Sequence, residues 1–324
     1  MYVSITNAHI PQVERMNHFP VIDFSTLGLG VERHLLEPEA MARAGEQIRS
    51  ALSTSGFCYL RGHGIDQTAV DHYMDVSREF FQLPVKEKET YARGTDTNFG
   101  WVALEREKLN PERPGDLKEA FNFDFLDDDS SKWPNKAFEV TSHDMFHGCW
   151  QLAYRVCDVL SVGLGLEEDF LRNAHKNIGK KGNYTTLRSS YYPPIPDDSS
   201  LKPGQIRLGE HSDYGTITLL FQDDVGGLEV DVPGVGFVPA TPIPGTVIVN
   251  IGDMMQHWTA DALKATKHRV LIPEAEIKKR TCRQSVAFFL QPDHDYIIEC
   301  LDGSNKYEPI SSLDYVNSKF SVTY

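Results

Sequence analysis

Hydrophobic and polar positions change rhythm partway along this chain. In the first half, apolar residues recur every three to four positions. In the second they alternate, or run in short blocks between Gly and Pro. The first rhythm predicts helices over 38–55, 67–82 and 144–164. In the last of these Phe146, Cys149, Trp150, Ala153 and Cys157 form one face, which is expected to lie against a sheet. The second rhythm predicts strands. A β-branched and apolar run fills 216–221, and Asp223-Asp224 and Gly226-Gly227 mark a turn before Leu228-Glu229-Val230. Pro233-Gly234 leads into 236–239, Pro244-Gly245 introduces 246–251, and 283–290 alternates. Short strands with such turns between them build antiparallel sandwiches or barrels. The expected class is therefore α+β with a mainly β core.

The candidate chemistry sits inside that β region. His211 and Asp213 are the only His-x-Asp pair in the chain. Residues i and i+2 of a strand share a face, so both side chains can reach one ion. His268 would come from a strand folded back beside them. Two neutral imidazoles and one carboxylate on one side of a metal leave its other side open, as in non-haem Fe(II) oxygenases. A lone His-x-Asp is a cheap motif; its position at the head of a strand run is what gives it weight. Arg283 and Ser285 lie on one face of a later strand. A guanidinium fork beside a hydroxyl can clamp a carboxylate. Arg188 and Ser190 repeat that spacing upstream, so placement, not pattern, must decide between them.

Several segments in order resemble the isopenicillin N synthase-like branch of the Fe(II)/2-oxoglutarate-dependent oxygenases. Phe19-Pro20-Val21-Ile22-Asp23-Phe24 is similar to that family's opening strand. Gly56-Phe57-Cys58-Tyr59-Leu60-Arg61-Gly62-His63-Gly64-Ile65 resembles its GFFxxxNHGI segment, with Arg61-Gly62 replacing the usual pair before His63. Phe80-Phe81-Gln82-Leu83-Pro84, Asp116-Leu117-Lys118-Glu119-Ala120-Phe121 and Tyr191-Tyr192-Pro193-Pro194 match further family segments. The resemblance covers nearly the whole chain. It implies a double-stranded β-helix (jelly roll) with flanking helices, and one domain over 1–324: a helix-rich part to about 180, a core over 184–295 and a tail over 296–324. It also implies that His211, Asp213 and His268 hold Fe(2+), and that Arg283, Ser285 and Tyr192 bind 2-oxoglutarate. O2 is the second cosubstrate and ascorbate a candidate reductant. Members with Asn two places before that Tyr use it near the metal; here Ser190 stands there. His63 matches a structural His-Gly turn, and Asp293-His294-Asp295 reads as a polar turn.

Substrate residues are harder to read. The family's variable walls correspond to 99–123 and the C-terminal tail, which here supply Trp101, Lys118, Phe121, Phe123 and Tyr324. Arg188 shares a strand face with Tyr192. An apolar-aromatic wall with one or two cations points to a small metabolite carrying a carboxylate. The implied reaction is hydroxylation of such a metabolite, with desaturation or cyclisation in the same class, releasing succinate and CO2. Three other readings of the same residues remain open: a 2-oxoglutarate-independent iron oxidase of the same family, a non-catalytic metal-binding receptor for a small molecule, and a zinc hydrolase.

Composition narrows the partners. The formal charge of −14 with no basic run argues against a nucleic-acid partner. Five unpatterned cysteines suit a reducing compartment. No apolar segment looks long enough to cross a bilayer. A cytoplasmic protein, monomeric rather than obligately oligomeric, is the expectation.

Overall fold

Alternation along the strands decides which residues meet the helices and which meet the candidate site. The computed structural model describes residues 18–95, 97–110, 112–126, 132–195, 201–272 and 281–323. Its larger sheet runs β1 (Val21–Asp23), β2 (Phe57–Arg61), β10 (Thr246–Ile251), β7 (Ile217–Gln222), β12 (Arg283–Leu290), β5 (Thr186–Tyr192), β4 (Glu119–Phe123) and β3 (Gly100–Val102). The smaller sheet runs β6 (Leu208–His211), β11 (His268–Val270), β8 (Leu228–Val232) and β9 (Gly236–Pro239). Most neighbours are antiparallel, as the short Gly/Pro-punctuated blocks predict; β1 and β2 are parallel. The two sheets face each other as a double-stranded β-helix.

Three helices cover the outer face of the larger sheet: α1 (Pro38–Thr54), α2 (Gln67–Phe81) and α3 (Lys136–Gly163). Pro38 opens α1 in its first turn, where its missing N–H costs nothing. Asp66 and Asn135 cap α2 and α3, accepting from Thr68 N and Phe138 N. α3 begins eight residues before the predicted start at 144. The Asn135 cap and Phe138, 0% exposed, are the signals that an apolar-stripe reading misses. α1 and α3 cross backbone to backbone. A Cβ on Gly163 would lie 2.3 Å from the Gly45 carbonyl oxygen, so neither glycine can be replaced without separating the helices.

Alternation divides the side chains of the larger sheet between two cores. Cys58, Leu60, Leu187, Leu219, Phe221, Val247, Val249, Val286 and Phe288 join the helices in the main core. Phe57, Tyr59, Tyr192 and Ile248 face the smaller sheet, where they meet Leu228, Val230, Val238 and Val270. The candidate metal residues lie in this inter-sheet layer. Shifting one strand by a single residue would exchange its two sets.

Candidate metal centre

His211 ends β6, and the residue opposite it in register is His268, the first of β11. Their rings lie 4.3 Å apart between centroids. Asp213 follows two residues after His211, and its Oδ1 is 3.7 Å from Nε2 of both histidines. One ligand atom from each residue falls within 4.8 Å of the others.

Backbone contacts fix these positions. The Asp213 carbonyl accepts Asp253 N at 2.7 Å and the Tyr214 carbonyl accepts Met254 N at 3.2 Å, from the first turn of α4 (Asp253–Trp258). Gly215 and Gly252 permit that approach: a Cβ on Gly252 would lie 2.3 Å from the Gly215 oxygen. Gly56, at φ +74°, does the same for the loop before His268, where a Cβ would meet the Lys264 oxygen at 2.3 Å. The Phe57 ring stands edge-on to His268, 5.4 Å between centroids at 72°.

Hydrogen bonds choose which atoms are left for a metal. Nδ1 of His211 lies 2.9 Å from the Gly209 carbonyl and Nδ1 of His268 lies 3.2 Å from the Thr266 carbonyl. A carbonyl only accepts, so each Nδ1 carries the proton and each Nε2 presents a lone pair. Asp213 Oδ2 accepts from Thr218 Oγ1 at 2.6 Å and Asn250 Nδ2 at 2.7 Å, leaving Oδ1 towards the histidines. Burial, helped by His268, pushes His211 down to about 3, so its ring is neutral. Burial alone would raise Asp213, but the imidazoles facing Oδ1 and the hydrogen bonds from Thr218 and Asn250 to Oδ2 together hold the carboxyl below its ordinary value. Two neutral nitrogens and one anionic oxygen, each oriented by a second bond, match the donor set iron(II) takes in a facial triad.

A cavity opens beside these atoms. Its wall includes Phe57, Lys118, Arg188, Ser190, Tyr192, Arg283, Ser285 and Phe289. Arg283 is 1% exposed; its Nε donates to Gly226 O at 2.7 Å and its Nη2 to Gln222 Oε1 at 3.2 Å. Its Nη1 lies 3.4 Å from Ser285 Oγ, and its guanidinium sits 4.8 Å from the Tyr192 ring centroid. The structure thus brings Arg283, Ser285 and Tyr192 together as a cationic pocket on the same wall. Ser190 lies opposite Ser285 in register and also faces the cavity.

The aromatic wall expected from 99–123 is a correction. Lys118 lines the cavity, but Trp101, Phe121 and Phe123 do not. They point through the sheet into the helix-side core, where Phe121 meets Phe80 and Phe138 at 5.4 and 5.0 Å between centroids. Trp101 donates Nε1 to Glu119 at 2.7 Å. The cause is alternation: β4 pairs Ala120 with Ser190 and Asn122 with Arg188, so 118, 120 and 122 share the cavity face and 119, 121 and 123 the other. Tyr324 lies outside the described residues. Arg188 does face the cavity, and is bound to Asn122 Oδ1 at 2.8 Å and Glu107 Oε1 at 2.7 Å.

Sequence reasoning missed Thr218, Asn250, Gln222 and Glu107. Thr218 and Gln222 alternate on β7 and could have been found from the face Thr218 shares with Leu220. Asn250 and Glu107 give no local signal. His63 and Asp293 have structural partners: His63 Nδ1 accepts Ile65 N at 3.2 Å, and Asp293 accepts Lys176 N and Asn177 N at 3.0 and 2.9 Å.

Comparison with known proteins agrees with this geometry. Residues 183–292 match the model of the 2OG-Fe(II) oxygenase superfamily, and residues 19–140 match that of the N-terminal region of non-haem dioxygenases in morphine synthesis. The chain is 31% identical to the 2-oxoglutarate-dependent dioxygenase htyE of Aspergillus rugulosus, over 84% of this chain and 91% of that protein. It is 32% identical to the 2-oxoglutarate-dependent dioxygenase gloF of Glarea lozoyensis, over 84% of this chain and 91% of that protein. Among solved structures, a full-length Neurospora crassa protein in complex with alpha-KG and thymine superposes with a TM-score of 0.82 at 31% identity, covering 94% of this chain and 97% of that one.

Proposed function

This chain belongs to the isopenicillin N synthase-like Fe(II)/2-oxoglutarate-dependent oxygenases, and from that premise we propose which of its residues carry the reaction. The protein is an enzyme that couples 2-oxoglutarate to oxidation of a small molecule. His211, Asp213 and His268 hold the iron. The observation that carries this assignment is their three ligand atoms within 4.8 Å, with the other atom of each side chain already bound elsewhere. Arg283, with Ser285 and Tyr192, receives the distal carboxylate of 2-oxoglutarate. Bound there, iron and 2-oxoglutarate supply an oxidant made from dioxygen, with succinate and CO2 as co-products.

The chain's own contribution is positional. Asn250 and Thr218 keep Asp213 from turning, so one carboxylate oxygen faces the ion. Phe57, Leu220 and Phe289 shed water from the cavity and hold one C–H bond of the substrate against it. Hydroxylation is the default outcome on this reading. The substrate is a small metabolite carrying a carboxylate, met by Lys118 and Arg188 on the same wall. The five free cysteines suit work in the cytoplasm.

Release of labelled succinate from labelled 2-oxoglutarate, stimulated by candidate metabolites, tests the reaction. His211→Ala, Asp213→Ala and His268→Ala should each abolish turnover and weaken metal binding while circular dichroism stays native. A variant that kept near-native activity and metal content would overturn the ligand assignment.

A further inference from the structure

Glu107 was not expected at the site, and it does not line the cavity. It lies in the segment between β3 and β4, 3% exposed. Its two carboxylate oxygens take two of the cations of the cavity wall: Oε1 accepts from Arg188 at 2.7 Å and Oε2 from Lys118 at 2.8 Å. A third cation, Arg93, stands 3.6 Å from Oε1. Burial works against the charge of Glu107, but Arg188 and Lys118 more than offset it, and the carboxyl is held well below its ordinary value. Burial pushes the Asp116 carboxyl above its ordinary value despite Lys118, and its oxygens accept Gly209 N at 2.9 Å and Leu109 N at 3.4 Å.

Lys118, just before β4, and Arg188, on β5, reach Glu107 from different segments of the wall, and both line the cavity. An ammonium has three donors, and the contact with Glu107 uses one of them on Lys118. A buried charge must be balanced by a partner. Of the cations on Glu107, only Lys118 and Arg188 line the cavity, and together they exceed the one carboxylate they share by one formal charge.

We propose that Glu107 is a specificity-determining positioning residue: it fixes Lys118 and Arg188 as one pair and limits the positive charge they present, so that the cavity selects a substrate with a single carboxylate. This rests on the reading of the cavity as the oxidation site and adds the residue that sets its charge preference. Glu107 touches no substrate and acts through the two cations. Replacing it by glutamine keeps the shape and removes one negative charge. The wall then favours an anion more strongly over a neutral molecule of the same outline. Removing Lys118 as well restores the charge balance and should reverse that change.

Benzoate and benzamide are suitable probes because they share an outline and differ in charge. Their binding would be measured by calorimetry with oxygen excluded, on protein loaded with iron(II) and saturating 2-oxoglutarate, for the wild type, Glu107→Gln and the double variant Glu107→Gln/Lys118→Met. In the wild type benzoate should bind more tightly than benzamide. In Glu107→Gln that preference should widen by about tenfold, the change one pKa-unit-sized interaction produces. In the double variant it should return towards the wild-type ratio. Thermal midpoints should follow, with benzoate rescuing Glu107→Gln more than benzamide does. A ratio unmoved by Glu107→Gln, a double variant that fails to reverse it, or benzoate that does not bind the wild type would each overturn the proposal. If Glu107→Gln fails to fold, Glu107→Asp should narrow the probe preference through misplaced cations, and an unchanged ratio there overturns it equally. Binding of 2-oxoglutarate to the iron(II)-loaded wild type, measured in its own titration before the probes are added, reports on the oxygenase reading separately. If that binding is absent, the cosubstrate assignment fails whatever Glu107 does.

Discussion

Asn250 donates its side-chain amide to Asp213 Oδ2 at 2.7 Å, from β10 of the larger sheet to the segment between β6 and β7, across 37 residues of chain. β10 and β7 lie side by side, with Asn250 opposite Thr218 in register, so the amide and the Thr218 hydroxyl reach the same oxygen. The other oxygen is thereby turned to the histidines.

Breaking that relationship should loosen the metal more than the fold. Asn250→Ala removes one of two bonds to Asp213 Oδ2. Losing such an outer partner weakens metal affinity by roughly 10–100-fold. The half-satisfied buried carboxylate should also lower stability by about 1–3 kcal/mol. Metal titration followed by chemical denaturation would check both, and unchanged iron affinity would refute the orienting role.

Arg283 should be read through 2-oxoglutarate. Arg283→Ala leaves a dicarboxylate unpaired in a buried pocket, and a charged hydrogen bond there is worth about 1.5–3 kcal/mol. The KM for 2-oxoglutarate should rise roughly tenfold to over a hundredfold. Arg283→Lys should recover only part, because an ammonium cannot reproduce the fork held by Gly226 and Gln222. Binding indifferent to both changes would move the clamp elsewhere.

Phe121 separates the corrected placement from the expected one. Ringed by Phe80, Phe99, Trp133 and Phe138 on the helix side, it should cost about 3–5 kcal/mol on truncation to Ala. The substrate KM of the folded enzyme should stay near its wild-type value. Denaturant midpoints and steady-state kinetics on one preparation decide it; a large KM change with little loss of stability would return Phe121 to the cavity wall.

His175, which does not line the cavity, gives the fold an acid-sensitive point. It is fully buried between Leu171 O and Thr216 Oγ1, and burial pushes its imidazolium down to about 4, despite opposing contributions from Leu171 O and Asp293. The unfolded chain takes up a proton near the ordinary value of about 6.5, whereas the native protein resists it until about pH 4. Stability is therefore fully present above about 6.5 and declines as pH falls through that window, by on the order of 3 kcal/mol. Denaturation at stepped pH should show the decline, and His175→Gln should flatten it. An equal slope in both proteins would place the acid sensitivity in other groups.

How far the site can be read in advance depends on the range of the contacts involved. His211, Asp213, Arg283 and Ser285 come in i, i+2 pairs, and a strand puts such pairs on one face whatever surrounds it. The helices over 38–55 and 67–82 are legible for the same local reason, since an apolar stripe at helical spacing needs only one partner surface. Trp101, Phe121 and Phe123 escape such a reading because a strand has two faces. Nothing within Glu119–Phe123 says which one meets the helices; the pairing of Ala120 with Ser190 does.

The sequence by itself determined the periods, the turns and a metal-competent set of residue types, because backbone geometry imposes those over a few positions. Tertiary structure alone decided which face of each strand became cavity and which atom of each ligand was left free. It also decided that Glu107 would sit behind Lys118 and Arg188. Those outcomes depend on strand register and on charges buried together from distant segments, and burial is what makes an unbalanced charge costly enough to select one arrangement.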